Sequence, residues 1–130
     1  MSELTDEAHR LLSGGHPAHV ATLLPDGSPH SVPMWVGLEG DRVTILTSEN
    51  SRKARNLERD PRVAISVTDR AREATSVLVR GRLVEKIEGD RAWEIIDRMS
   101  DAYIGMPYSP RTDRVVYAIE PEHVRVVVIG

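Results

Sequence analysis

The chain has 130 residues, 40% of them apolar and 28% charged, with a net charge of −3. That suits a single soluble domain with one core, residues 1–130, and argues against a general nucleic-acid binder, leaving room only for a local basic patch. Cysteine is absent, which excludes disulfides, thiolate nucleophiles and CxxC metal sites and fits a reducing cytoplasm.

The amino-terminal MSELTDEAHRLLSGG is charged, without the apolar core of a signal peptide, and no apolar run reaches membrane-spanning length. Within it, residues 5–14 have amphipathic helical spacing, with Thr5 or Asp6 as the cap and Gly14-Gly15 as the stop. Three apolar runs follow, separated by the turn signals Pro25-Asp26-Gly27 and Glu39-Gly40-Asp41. Turns this short predict antiparallel neighbours. In the second run Val32, Met34, Val36 and Leu38 alternate with Pro33, Trp35 and Gly37 and form the expected core face. Pro33 has no N–H to give a ladder, so one side of this strand is an edge or a bulge, with backbone groups free to meet something else.

Val43 and Ile45 mark the inward face of the third run, followed by the cap candidates Thr47, Ser48 and Asn50. A helix is predicted from about Ser51 to Arg59, with Ala54 and Leu57 buried and Pro61 as its stop. RVAISV is a fourth strand, and TSVLVRGRLVEKI a long fifth one with a bulge at Gly81. GDRAWEIIDRMSDAYIG is an amphipathic helix with Asp90 as its expected cap. RVVYAI and EHVRVVVIG read as sixth and last strands, with Val124, Val126 and Val128 alternating in the latter. Six or seven mostly antiparallel strands and two or three peripheral helices in one small domain predict a mainly β (α+β) barrel, closed or nearly so.

The helix entrance at TSENSRKARNL breaks a sequence rule. A helix N-terminus favours acidic residues, and each exposed cation there costs about 0.3–1 kcal/mol. This first turn carries Arg52 and Lys53, with Arg55 next to them, in a chain with 15 arginines and only two lysines. Two readings stand. Either an anion such as a phosphate or carboxylate binds there, helped by the hydroxyls of Thr47 and Ser48, or the helix face is solvated and Glu49, Glu58 and Asp60 neutralise it.

NSRKARNLERDPRVAISV resembles the phosphate-binding segment of the pyridoxamine 5′-phosphate oxidase-like split β-barrel proteins, and most of all their deazaflavin (coenzyme F420)-dependent oxidoreductases. ATLLPDGSPHSVPMWV is similar to the family's first hairpin, LVRGRLVEKI to its fifth strand, and YIGMPYSPRTDRVVYAIEPEHVRV to the tail of many members. The resemblance implies a split β-barrel homodimer, with a cofactor in each interfacial cleft and a small-molecule substrate. It implies that Arg52, Lys53 and Arg55, with Thr47, Ser48 and Ser51, bind the cofactor phosphate. It further implies that the Pro33, Met34 and Trp35 backbone lies along the ring system. SVPMWVG carries no cation, which looks like the F420 branch; FMN is the alternative cofactor, on the strength of Ser51-Arg52-Lys53. A non-catalytic flavin, deazaflavin or tetrapyrrole binder is the competing class.

Such chemistry needs no nucleophile–base pair, since the cofactor carries the hydride, and no catalytic side chain stands out. His30 and Tyr108 are candidate substrate contacts; Tyr103 is either a cleft residue or a continuation of the helix stripe. Trp35 is expected at the cleft or a dimer interface, and Trp93 in a structural role. His16 and His19, three apart in extended chain, point to opposite faces, so no metal site is expected. Arg70, Arg72, Arg80 and Arg82 lack the clustered aromatics of a nucleic-acid surface.

Overall fold

The computed structural model describes residues 4–129. Helix α1 (Asp6–Ser13) is capped by the Thr5 hydroxyl, which accepts from Ala8 N at 3.2 Å. Seven strands follow: β1 (Ala18–Leu23), β2 (Pro29–Pro33), β3 (Val36–Glu39), β4 (Arg42–Thr47), β5 (Arg62–Thr68), β6 (Thr75–Ile87) and β7 (Val115–Val128). Helix α2 (Arg52–Arg59) joins β4 to β5, and α3 (Gly89–Ile104) joins β6 to β7. Every strand pair is antiparallel, in the order β2-β1-β5-β6-β7-β4-β3.

That order dictates the shape. Six interstrand gaps would hold β2 and β3 roughly 29 Å apart in a flat sheet. Yet only Met34 and Trp35 separate these strands in sequence, and three Cα–Cα steps span at most about 11 Å. The sheet must therefore curl until its two edges approach, giving a barrel split along one seam. The expected second strand thus divides at Met34-Trp35: its first half pairs with β1 and its second with β4. Val36 is fully inward, while Met34 and Leu38 are half-buried against the core.

Inward-facing Val20, Val43, Ile45, Ile65, Val67, Val77 and Tyr117 fill the barrel, closed off by Ala8, Leu11 and Leu12 of α1 and by Ala54 and Leu57 of α2. A second cluster lies outside: Ile95, Ile96 and Met99 of α3 cover Val116 and Ala118 of β7. Residues Val115–Ile119 are therefore buried on both faces, which is why that run is continuously apolar rather than alternating.

Three sequence expectations need correction. β7 is one strand, not two, because Pro121 lies beyond the last β4 pair, Val43 with Ile119, and no ladder bond on that side is lost. Val126 and Val128 are 38% and 71% exposed, since this half of β7 runs past the packed interior. The α3 cap is Glu88, making no side-chain bond, and Asp90 lies in the first turn.

A buried carboxylate fastens α1 to the β5–β6 loop. Asp69 accepts from Arg10 Nη2 at 2.7 Å and from Ala71 N at 2.9 Å, and these bonds hold its pKa down to about 2.

The bulge at Gly81 brings the β6 backbone close against β7. Its register shifts between Arg80 and Gly81, and a Cβ there would collide with the Glu120 carbonyl oxygen. Gly81→Val should destabilise the barrel by about 3 kcal/mol, read from the midpoint of urea unfolding; an unchanged midpoint would show that β7 can yield.

Candidate functional site

The α2 entrance is built on serine and threonine hydroxyls. Ser51 is the N-cap, its Oγ accepting from Ala54 N at 3.1 Å, so the cap is neither Thr47, Ser48 nor Asn50. Thr47 Oγ1 lies 2.7 Å from Ser51 Oγ, and Ser51 N donates to Ser48 O at 3.1 Å. The strand end and the first helical turn thus form one hydroxyl-lined corner. The first turn holds no acidic residue. Arg52 and Arg55 are exposed and Lys53 is half-buried.

The carboxylates available to neutralise this face are all engaged elsewhere. Glu49 takes Lys86 Nζ at 2.7 Å, and Asp60 takes Arg62 Nη2 at 2.8 Å. Glu58 accepts from the buried Tyr117 hydroxyl at 3.1 Å; burial first, and Glu58 second, hold that phenol well above its ordinary pKa. Among the described residues, no carboxylate reaches ion-pair distance of Arg52, Lys53 or Arg55. Direct pairing of these carboxylates with the three cations is therefore absent, while Arg52 and Arg55 are exposed to solvent, so the solvated face and the anion site both stand as readings.

A fourth cation arrives from the far end of the chain. Arg114, just before β7, donates from Nη1 to Ser48 Oγ at 3.0 Å and from Nε to the Tyr108 hydroxyl at 3.0 Å. Its other bonds go to the Thr112 and Asp113 carbonyls, so it too meets no carboxylate. Neighbouring Arg111, by contrast, is paired with Asp97 at 2.8 Å and lies over the Trp93 ring. No local signal marks Arg114, because its partner Ser48 is 66 positions away.

The seam carries the aromatic half of the site. Trp35 stacks on Tyr103, with centroids 5.0 Å apart and planes 7° from parallel, and meets Tyr108 edge-on at 5.9 Å. Tyr103 resolves its two sequence readings by doing both jobs: it packs in the α3 cluster and pins the seam. Its hydroxyl accepts from Val36 N at 3.2 Å and donates to His16 O at 2.7 Å. Burial raises its pKa. On the other side Met34 N donates to Ala18 O at 3.0 Å. A hollow of about 230 Å³, lined by Met34, Trp35, Leu46 and Tyr108, opens on the Arg114 side. A second, of about 350 Å³, opens on the other and includes Pro33, Met34, Trp35 and Tyr103.

The structure thus brings Thr47, Ser48 and Ser51 together at the entrance of the helix that bears Arg52, Lys53 and Arg55, and Pro33, Met34 and Trp35 together at the seam. Arg114 and Tyr108 link the two groups. His30 is apart from them: it pairs with Thr22 on β1, lines neither hollow, and buries an Nδ1 with no partner. Trp93 packs in the α3 cluster. No group of three potential metal ligands lies together among the described residues, and no helix there is long and apolar enough to cross a membrane.

A family model described as pyridoxamine 5′-phosphate oxidase matches residues 4–128. The chain belongs to that family. No curated protein matches it. Among solved structures it is similar to an F420 reductase, at 26% identity and a TM-score of 0.80, covering 94% of this chain and 98% of that one. It is also similar to a conserved hypothetical protein of Mycobacterium tuberculosis, at 25% identity and a TM-score of 0.79, covering 97% and 86%. A heme binding protein of Mycobacterium smegmatis shares 25% identity at a TM-score of 0.72, over 98% of this chain but 55% of that one. The family is consistent with the split barrel, and the structures it resembles include an F420 reductase and a heme binding protein.

Tyr103→Phe should cost about 1–3 kcal/mol by stranding Val36 N and the His16 carbonyl. Amide exchange at Val36 should accelerate before global unfolding; unchanged protection there would show that the seam holds without the hydroxyl.

Proposed function

We propose that this member of the pyridoxamine 5′-phosphate oxidase family is an F420-dependent oxidoreductase, moving a hydride between reduced coenzyme F420 and a small conjugated organic substrate. The observation that carries this reading is a hydroxyl-lined helix entrance whose first turns carry Arg52, Lys53 and Arg55 and whose Ser48 is bonded by Arg114, with no carboxylate paired to any of the four among the described residues. Such a corner suits a phosphate: charge-assisted bonds from guanidinium and ammonium groups are short and strong, and hydroxyls fill the remaining acceptor directions.

The coenzyme, when bound, supplies the hydride donor and acceptor carbon. Lys53, Arg52, Arg55 and Arg114 hold its phosphate, with Thr47, Ser48 and Ser51 as hydroxyl partners. The Pro33–Trp35 segment, at the crossing between the two ladders, would lie beside the ring, and Trp35 and Tyr108 would shield it from water. Tyr103 supplies no proton, because its hydroxyl hydrogen is committed to the His16 carbonyl. Catalysis by the polypeptide is orientation and exclusion of water.

The likeness to an F420 reductase and the absence of a cation in SVPMWVG favour the deazaflavin. FMN is the alternative, favoured by the family description and by Ser51-Arg52-Lys53. The working unit is proposed to be a homodimer. Ala21, Ser31, Ala64 and Ser66 leave a hollow of about 350 Å³ on the outer sheet face beside Leu78, which is 42% exposed. His19 borders both this hollow and the seam, so a second copy seated there would wall the cleft.

Titration with F420 and with FMN tests the cofactor. Each lost charge-assisted bond is worth about 1.5–3 kcal/mol, so Lys53→Ala and Arg114→Met should each weaken binding about ten- to a hundredfold. Affinity for both cofactors that neither variant changes would end the proposal, and a haem spectrum on the isolated protein would replace it.

In sedimentation equilibrium the chain should run as a dimer that Ala64→Glu reduces to monomer. A wild-type monomer would refute the shared cleft.

A further inference from the structure

The two hollows beside the seam share Met34 and Trp35 but differ in chemistry. The smaller, lined by Met34, Trp35, Leu46 and Tyr108, reaches the helix corner only through Tyr108, whose hydroxyl accepts from Arg114. The larger, about 350 Å³, is lined by His19, Pro33, Met34, Trp35, Arg70 and Tyr103 among others, and holds none of the phosphate-corner residues. Its size suits a small organic molecule. Its wall includes the Trp35–Tyr103 stack, a flat apolar face. Its one permanent charge is Arg70, whose Nη2 donates to the Gly15 carbonyl at 2.5 Å and which is close enough to influence the Tyr103 hydroxyl.

Among the described residues, no carboxylate lines this hollow. Asp69, adjacent to Arg70 in sequence, turns its carboxylate to Arg10 and to the Ala71 and Arg72 amides instead. Among the described residues Arg70 thus has its guanidinium on a neutral carbonyl and no carboxylate partner, at the rim of an aromatic-walled hollow. A guanidinium so placed matches a carboxylate by two parallel N–H···O bonds, whereas a neutral amide accepts at one oxygen only.

We propose that this second hollow is the substrate site, and that its substrate is a flat conjugated molecule carrying a carboxylate that Arg70 receives. The assignment rests on the coenzyme reading above, since it needs the ring on the Pro33–Trp35 segment for the two molecules to meet. The conjugated part lies on the Trp35–Tyr103 stack and the carboxylate points outward to Arg70. The phosphate corner and the carboxylate anchor then sit on opposite sides of the seam, each with its own cations.

Calorimetric titration of the full chain with 2-naphthoate and with neutral 2-naphthamide tests it. The acid should bind at least about tenfold more tightly than the amide. Arg70→Gln should bring the two within about twofold, Arg70→Lys should keep most of the preference, and Lys53→Ala should leave it intact. Equal affinities in the wild type, no binding of either compound, or a preference that survives Arg70→Gln would each overturn the assignment. So would a preference lost in Lys53→Ala, which would place the acid in the phosphate corner.

Should Arg70→Gln lose its melting transition, fluorescence locates the ligand without it. The chain has two tryptophans, so naphthoate should quench Trp93→Phe, where Trp35 reports, and not Trp35→Phe. The reverse pattern rejects the hollow. F420 titration of the same variants separates the two proposals. Affinity retained in Arg70→Gln and lost in Lys53→Ala upholds the coenzyme reading whatever the naphthoate result.

Discussion

Two residues between opposite sheet edges set most of this molecule's architecture. Pro33 and Val36 end and begin strands that are six positions apart in the sheet, and Met34-Trp35 is all that joins them. The chain cannot satisfy that tether without rolling the sheet. Once rolled, the sheet has an inside for Val20, Val43, Ile65 and Tyr117, and ends for α1 and α2 to close. The same tether leaves only Met34-Trp35 between the two ladders, just after Pro33, and Met34 N still bonds the Ala18 carbonyl. The seam in the barrel is this two-residue crossing between the ladders, and Tyr103 holds it in place from α3.

Charge is distributed around that seam by exclusion. Most acidic residues near α2 are taken by partners from other elements: Glu49 by Lys86 of β6, Glu58 by Tyr117 of β7, Asp60 by Arg62 of β5. What remains at the helix entrance is positive charge without local compensation, in a protein that is acidic overall. A partly buried guanidinium bonded only to neutral oxygens, as Arg114 is, gives up hydration without gaining a counter-charge.

The split barrel does not decide among chemistries by itself. Its likenesses include a reductase and a heme binding protein at nearly equal identity. The distinction lies in side chains placed on the common frame: what neutralises the cations, which aromatic rings face the seam, and whether the second hollow carries a charge. In this chain four of the five aromatic residues gather there, Trp35, Trp93, Tyr103 and Tyr108, leaving Tyr117 to fill the barrel interior.

Sequence alone determined the features whose causes are local. The helices α1 and α2 follow from spacing and stop residues, the inward faces of β4 and β5 from alternation, and the Gly81 bulge from a glycine inside a long strand. The cationic first turn was visible because it violates a rule that acts over one turn of helix. Tertiary structure alone decided how those pieces complete one another. Whether Glu49 and Glu58 would pair with the cations depended on Lys86 and Tyr117 reaching them from 37 and 59 positions away, whereas the Asp60–Arg62 pair is local. Arg114 joined the corner across 66 positions, and Met34-Trp35 became a seam only because β2 and β3 ended at opposite edges. Hydrogen bonds and ion pairs between distant segments form only once folding has brought their partners together, and no window along the chain contains them.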